Sequence, residues 1–251
     1  MGKPKKKIVL LLLEGSSDEY ALLGEISRLY EVYDSEVEVF PRIRNIPGMS
    51  NDVTVVAKDP VESIEGIISS DYIYDFLQQR RVYPKDIARI IHIVDMDGAF
   101  TDDANVVPGE GKPLYWENRI EAGDVDGIVR RNAIKRRNLS YLSGLKTISV
   151  YNAENKGKSK KRPYSIYYFS SNLDHVLHGE ANMDPQLKGK AAREFRDRCK
   201  QNKDYFTEFF LKQEAVRDRD YSASWEWIKE ENRSLQPHSN LGVLVQELTG
   251  R

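Results

Sequence analysis

The chain is short of several features that would have placed it quickly. It has one cysteine, Cys199, in 251 residues. That excludes an internal disulfide and a cysteine-rich zinc centre, and it suits a reducing compartment. No apolar run approaches the ~20 residues needed to span a membrane. Residues 8–13 follow a basic start, "MGKPKKK", and so imitate a secretory signal. The run stops at Glu14 after six residues, however, and no small-residue cleavage site follows. Gly2 lacks the Ser or Thr at position six that myristoylation wants; Lys6 stands there. The expectation is a cytoplasmic protein with no membrane attachment.

Charge of one sign is also missing. Lys and Arg total 38, Asp and Glu 39, for a net charge of −1. No global field draws a polyanion, so any nucleic-acid contact must come from local patches. There is no internal repeat and no Walker A loop. "NKGKSKKR" contains Gly-Lys-Ser, but Asn152 stands where the first glycine belongs.

What is present reads as alternating strands and helices. "IVLLLL" is short and continuously apolar, which suits a strand buried on both faces. Glu14-Gly15 ends it. A helix follows with Leu22, Ile26, Leu29 and Tyr33 on one face, and Ser16 with Glu19 matches a capping box. Residues 36–40 and 53–57 read as short strands with a loop between them, and about 60–80 as one long helix. "ARIIHIV" is a second buried strand ending at Asp95. A turn-rich stretch, a helix over about 124–141, a strand "LKTISVY", a basic loop over 152–163 and a strand "YSIYYF" follow. The alternation predicts an α/β fold built on a mainly parallel sheet, occupying residues 1–180. Residues 181–251 read as a helical extension with aromatic anchors, which suggest a homodimer.

The chemistry lies at the strand ends. In open α/β sheets, ligands gather beyond the carboxyl ends of the strands. Glu14 ends one buried strand; Asp95 and Asp97 end another. An extended backbone would point Asp95 and Asp97 to the same side. If the strands are neighbours, three carboxylates converge, and their repulsion calls for a divalent cation, Mg²⁺ or Mn²⁺. The helix start over 15–18 adds backbone N–H groups that favour a phosphate. Asp18 serves either that site or only its helix N-terminus.

"IVLLLLEGSSDEYALL" and "IIHIVDMDG" together resemble the two signature segments of the Toprim domain, found in topoisomerases, bacterial primases and nucleases of the OLD and RloB-like groups. The resemblance implies a Rossmann-like fold. It makes Glu14 a metal ligand or general base, Gly15 the turn glycine, and Asp95 and Asp97 the metal-binding pair. The gap of roughly 80 residues between the segments implies an insertion. "SIYYFSSNLDHVLHGEAN" is loosely similar to a further segment of those nucleases, and would bring Ser171, Asn172 and His178 near the site, with Asp174 or Glu180 as the acid. The local alternative is a plain helix cap at Ser171 or Asn172. A compact chain of this kind implies a nuclease acting on DNA or on RNA such as tRNA. The resemblance also points to bacterial anti-phage defence, where some members pair with a separately encoded ATPase.

Two other readings stay open. "VDMDGAFTDD" also fits the first motif of HAD-type phosphatases, with Asp95 as nucleophile, Asp97 as acid/base and Lys188 or Lys190 as the lysine. That motif normally lies on the first strand of its fold, whereas a whole strand and helix precede it here. The third reading is a non-catalytic module that binds nucleic acid or a partner. For contact with a nucleic-acid backbone the candidates are Lys158, Lys160, Lys161 and Arg162, next to Tyr164, with "RRNAIKRR" (130–137) and "RIR" (42–44) as further basic patches.

Overall fold

The structure, a computed structural model, describes residues 7–33, 35–39, 52–152 and 155–251. Its strands are β1 (Lys7–Leu12), β2 (Ser35–Val39), β3 (Ile87–Asp95), β4 (Val106–Pro108), β5 (Leu114–Tyr115), β6 (Ile120–Ala122), β7 (Thr147–Asn152) and β8 (Asn155–Phe169). The helices are α1 (Ser16–Glu31), α2 (Ser63–Ile67), α3 (Tyr74–Arg80), α4 (Val125–Gly144), α5 (Leu173–His178), α6 (Pro185–Gln201), α7 (Tyr205–Leu211), α8 (Tyr221–Ile228) and α9 (Leu241–Thr249).

The main sheet has the order β2-β1-β3-β8-β7. β2, β1, β3 and β8 run parallel, and β7 is an antiparallel edge strand beside β8. β4, β6 and β5 form a second, small sheet. The fold is therefore α/β with mixed sheets. Successive side chains of a strand face opposite ways, and here they feed two cores. Leu10, Leu12, Ile90, Ile166 and Tyr168 pack on one face with Ile64, Ile68, Leu77, Leu139, Leu142 and Trp225. Val9, Leu11, Ile91, Ile93 and Tyr167 pack on the other with Leu22, Ile26, Phe195, Phe206, Phe210 and Leu244. Each such side chain contributes about 1.5–3 kcal/mol of burial, which is why β1 and β3 tolerate no charge along their length.

The structure corrects the sequence reading at several points. Residues 53–55 form a 3₁₀ turn, not a strand. The long helix is interrupted by a π-helical segment, Ile68–Ile73, between α2 and α3. The expected basic loop is extended: β8 begins at Asn155 and pairs back on β7 as a hairpin. α1 begins at Ser16 as expected, but its N-cap is Gly15, and Asp18 rather than Glu19 reaches back, accepting from the Gly15 N–H at 2.6 Å. Tyr33 is exposed, with its hydroxyl donating to the Leu248 carbonyl. The loop over 41–51, including "RIR", lies outside the described residues.

The helices after residue 180 belong to the same two cores as the sheet. Phe195, Phe206, Phe210 and Trp225 are buried among residues of their own chain. The expected homodimer rested on these aromatics, and buried in their own chain they no longer argue for one. Among the described residues no helix is long and apolar enough to cross a membrane.

Candidate functional site

β1, β3 and β8 are adjacent and parallel, so their carboxyl ends share one edge of the sheet. Leu12 pairs with His92 in register. Two residues further on, Glu14 comes level with Val94, beside Asp95. The three carboxylates expected to meet are thus delivered by neighbouring strands.

Their local setting differs from a simple strand end. Asp95 is the last residue of β3, but Asp97 and Gly98 adopt left-handed backbone, φ 51° and 64°. A non-glycine residue in that region is uncommon and strained. Three backbone bonds to the end of β8 hold the turn. Met96 N–H donates to the Phe169 carbonyl, Asp97 N–H to Ser171 and Gly98 N–H to Ser170, at 2.8, 2.9 and 3.1 Å. The turn sends the two aspartates to different partners, so they do not point together as expected. Asp95 Oδ1 accepts from the Leu173 N–H at the start of α5, 3.0 Å away. Asp97 Oδ2 accepts from Lys135 Nζ of α4 at 2.5 Å.

Lys135 is the feature that sequence reasoning missed. Its side chain is wholly buried, and its ammonium also meets Asp52 Oδ2 at 2.8 Å and the Asp95 carbonyl at 2.7 Å. Burial would lower its pKa, but Asp97, Asp52 and Glu14 outweigh that and hold it above the usual lysine value. For Asp52 the same pair works in reverse. Burial pushes its carboxyl up, yet Lys135 and the bonds from Thr54 bring it below the usual value. Arg131 adds a second cation, donating to the Asp97 carbonyl at 3.0 Å and to the Tyr115 hydroxyl at 2.9 Å. That hydroxyl lies 3.5 Å from Asp97 Oδ1.

Glu14 and Asp95 are the uncompensated members. Glu14 Oε1 is enclosed and has no hydrogen-bond partner among the described residues. Burial, then Asp52, pushes its carboxyl well above the usual range, against the pull of Lys135. Asp95 is raised in the same way by burial, Asp18 and Asp97, with Lys135 and Lys188 opposing. Asp18 is buried in the first turn of α1, and Asp174, also buried, meets Lys188 at 2.7 Å. Acids therefore outnumber cations here: Glu14, Asp18, Asp52, Asp95, Asp97 and Asp174 stand against Lys135, Lys188 and Arg131.

This donor set suits a hard divalent cation in chemistry: buried carboxylate oxygens in excess, one of them without a partner. The side chains as placed are turned to lysines and backbone instead. Among the described residues no three His, Cys, Asp or Glu side chains close on one ion-sized point.

The β8 end supplies scaffold. Asn172 caps α5 by accepting from the His175 N–H at 2.9 Å and donates to the Ala181 carbonyl at 2.8 Å. Ser171 is fully buried, its carbonyl holding Asp97 and its hydroxyl 2.5 Å from His175 Nδ1. The helix-cap alternative describes both residues. His178 faces Arg198 at 3.4 Å rather than the carboxylates. Of the candidates in this segment, it is Asp174 that reaches the cluster.

The structure separates the basic stretch from the carboxylates. Lys158, Lys160 and Lys161 are exposed on the amino-terminal half of β8. At about 3.3 Å per residue, Lys160 stands roughly 30 Å from the carboxyl end of the strand. Arg162 donates to the Pro84 carbonyl at 2.6 Å. Of the patch over 130–137, Arg130 is exposed, Arg131 and Lys135 enter the site, and Arg136 and Arg137 pair with Asp103 and Asp59.

Comparison with protein-family models, with curated proteins and with solved structures returns no match for this chain.

Proposed function

We propose that this chain is a Toprim-type nuclease, dependent on Mg²⁺ or Mn²⁺, that hydrolyses phosphodiester bonds of DNA or of RNA such as tRNA. The observation that supports it most is the meeting of Glu14, Asp95 and Asp97 at the carboxyl edge of adjacent parallel strands, with more negative charge than the local cations offset. Glu14, Asp95 and Asp97 would hold the ion, with Asp18 and Asp174 flanking them. A cation so held supplies charge neutralisation, polarises a phosphodiester and lowers the pKa of an attacking water.

The chain's own residues divide the remaining work. Glu14 is the proton acceptor of this reading, because its carboxyl sits in surroundings that favour taking up a proton. Leu173 N–H and the α5 cap fix the rotamer of Asp95. Lys135 and Arg131 fix Asp97 and hold positive charge close to the phosphate position. The same reading makes the protein an effector of bacterial anti-phage defence, gated by a separately encoded ATPase, since its own sequence carries no Walker A loop.

The test is cleavage of plasmid DNA and total tRNA in Mg²⁺ and in EDTA, by wild type and Glu14→Ala. Metal-dependent cutting that this substitution abolishes is the expected result. Hydrolysis of a small phosphomonoester alone, surviving Glu14→Ala but lost in Asp95→Ala, would replace this reading with the phosphatase one.

A further inference from the structure

The β5–β6 hairpin leans on the carboxylate cluster with one aromatic side chain and leaves the next one open. Tyr115 points inward, its hydroxyl held by Arg131 and 3.5 Å from Asp97 Oδ1. Trp116, the following residue, is 44% exposed. The other two tryptophans, Trp225 and Trp227, are 2% and 8% exposed.

The tip of the hairpin is fixed without any burial of the indole. Trp116 N–H donates to the Arg119 carbonyl at 2.9 Å and closes the turn. Asn182 clamps the Tyr115 backbone from both sides, accepting its N–H at 2.8 Å and donating to its carbonyl at 2.9 Å. The indole is steadied by its neighbours. The Arg119 guanidinium lies 5.5 Å from the ring centroid, and Glu121 holds Arg119 at 2.8 Å while itself bonding to the Trp116 side chain. The local fold does not need this large apolar surface, yet the surface is held in one place beside the cluster.

We propose that the open face of Trp116 is a stacking platform for an unpaired base of the substrate, next to the phosphate held at the carboxylates. The inference rests on the nuclease reading and deepens it by naming the substrate class as single-stranded or looped-out nucleic acid. Three features favour this occupant. Consecutive Cα atoms are about 3.8 Å apart, so the indole starts one residue from a side chain that touches Asp97. A base offers a flat face regardless of sequence, whereas a duplex buries those faces against its own neighbours. The Arg119 guanidinium, partly exposed beside the ring, is a ready contact for the flanking phosphate.

The test uses the full chain as Glu14→Gln, which blocks cleavage under the nuclease reading, with Ca²⁺ present. A short labelled oligonucleotide, single-stranded or as the matched duplex, is titrated while tryptophan emission and label anisotropy are read together. The single strand is expected to quench the exposed tryptophan and to bind more tightly than the duplex. Adding Trp116→Leu should remove the quench and weaken binding roughly 10- to 100-fold, while Trp116→Tyr should retain most of the affinity. Circular dichroism checks that each variant is folded. Equal binding by the Trp116→Leu protein, preference for the duplex, binding without quench, or no binding at all would each overturn the proposal. The two readings fail separately. Metal-dependent cutting by wild type with no Trp116 effect sinks only the platform; quenching without any cleavage sinks only the nuclease.

Discussion

Lys135 Nζ lies 2.5 Å from Asp97 Oδ2 and 2.8 Å from Asp52 Oδ2, with the whole lysine side chain buried. A buried ammonium is tolerated only when paired, and here it stands among the carboxylates that would otherwise hold a divalent ion. It acts as a built-in counter-ion, and it offsets only part of the negative charge. Glu14 and Asp95 keep raised pKa values despite it. The site thus carries a residual demand for positive charge, which a bound cation or a proton can meet.

Removing that counter-ion should expose the demand. Lys135→Met leaves Asp97 and Asp52 buried without their partner, and breaking such a buried pair costs about 3–5 kcal/mol. Urea unfolding in EDTA should show a loss of that size. Mg²⁺ should then raise the midpoint of the variant more than that of wild type, because the ion replaces the missing charge. Equal Mg²⁺ shifts in the two proteins would mean that Lys135 and the ion do not share a site.

Glu14→Gln should stabilise the metal-free protein. A carboxyl whose folded pKa is raised is favourable when protonated, and its penalty grows as pH climbs past its unfolded value of about 4.5. At pH 7 Gln removes that penalty and keeps the shape. The expected gain is about 0.5–2 kcal/mol, fading as the pH falls towards 4. Thermal melts in EDTA at both pH values test this, and a variant less stable than wild type at pH 7 contradicts it.

Charge reversal at the far end of the sheet should leave the chemistry alone. Lys158 and Lys160 are roughly 30 Å from the carboxylates along β8, several times the ~8 Å screening length at physiological salt. With Tyr83 and Lys85 they line a separate cleft of about 280 Å³. Under the nuclease reading, Lys158→Glu with Lys160→Glu should cut a short oligonucleotide within about twofold of the wild-type rate. A loss of tenfold or more on that short substrate would place these lysines back at the reacting phosphate.

The parts of the site legible in the sequence were those set by strand burial. β1 and β3 are covered on both faces, so they had to be apolar throughout, and the acids that end them stood out. Lys135 was not legible, because it sits in the basic run 130–137 and reads there as surface. Only its spacing with Asn132, Leu139 and Leu142, all buried on the inner side of α4, marks it as inward-facing. Asp52 reaches the site from a segment far from both signatures, which no local pattern reveals. The β8 extension was read as a loop because of its lysines, yet those lysines belong to the part of the hairpin that runs beyond the start of β3, where exposed charge costs little. Tyr115 and Trp116 went unnoticed because a two-residue strand has no periodicity to detect.

His92 should give the fold a measurable acid sensitivity away from the candidate site. It lies inside β3 with its Nδ1 2.9 Å from the Tyr164 hydroxyl, and burial lowers its pKa to about 4. An unfolded histidine takes up its proton near pH 6.5. Between these values the unfolded chain binds the extra proton and the folded one does not. Stability is therefore full above about pH 6.5 and is lost as the pH falls towards 4, by on the order of 3 kcal/mol for this residue. His238, also lowered to about 4 by burial, acts in the same direction. His92→Gln keeps a hydrogen-bonding partner for Tyr164 but cannot titrate, so it should remove about half of the combined slope. Urea midpoints taken across this pH range would show a flatter profile for the variant, and a slope identical to wild type would rule out His92 as its source.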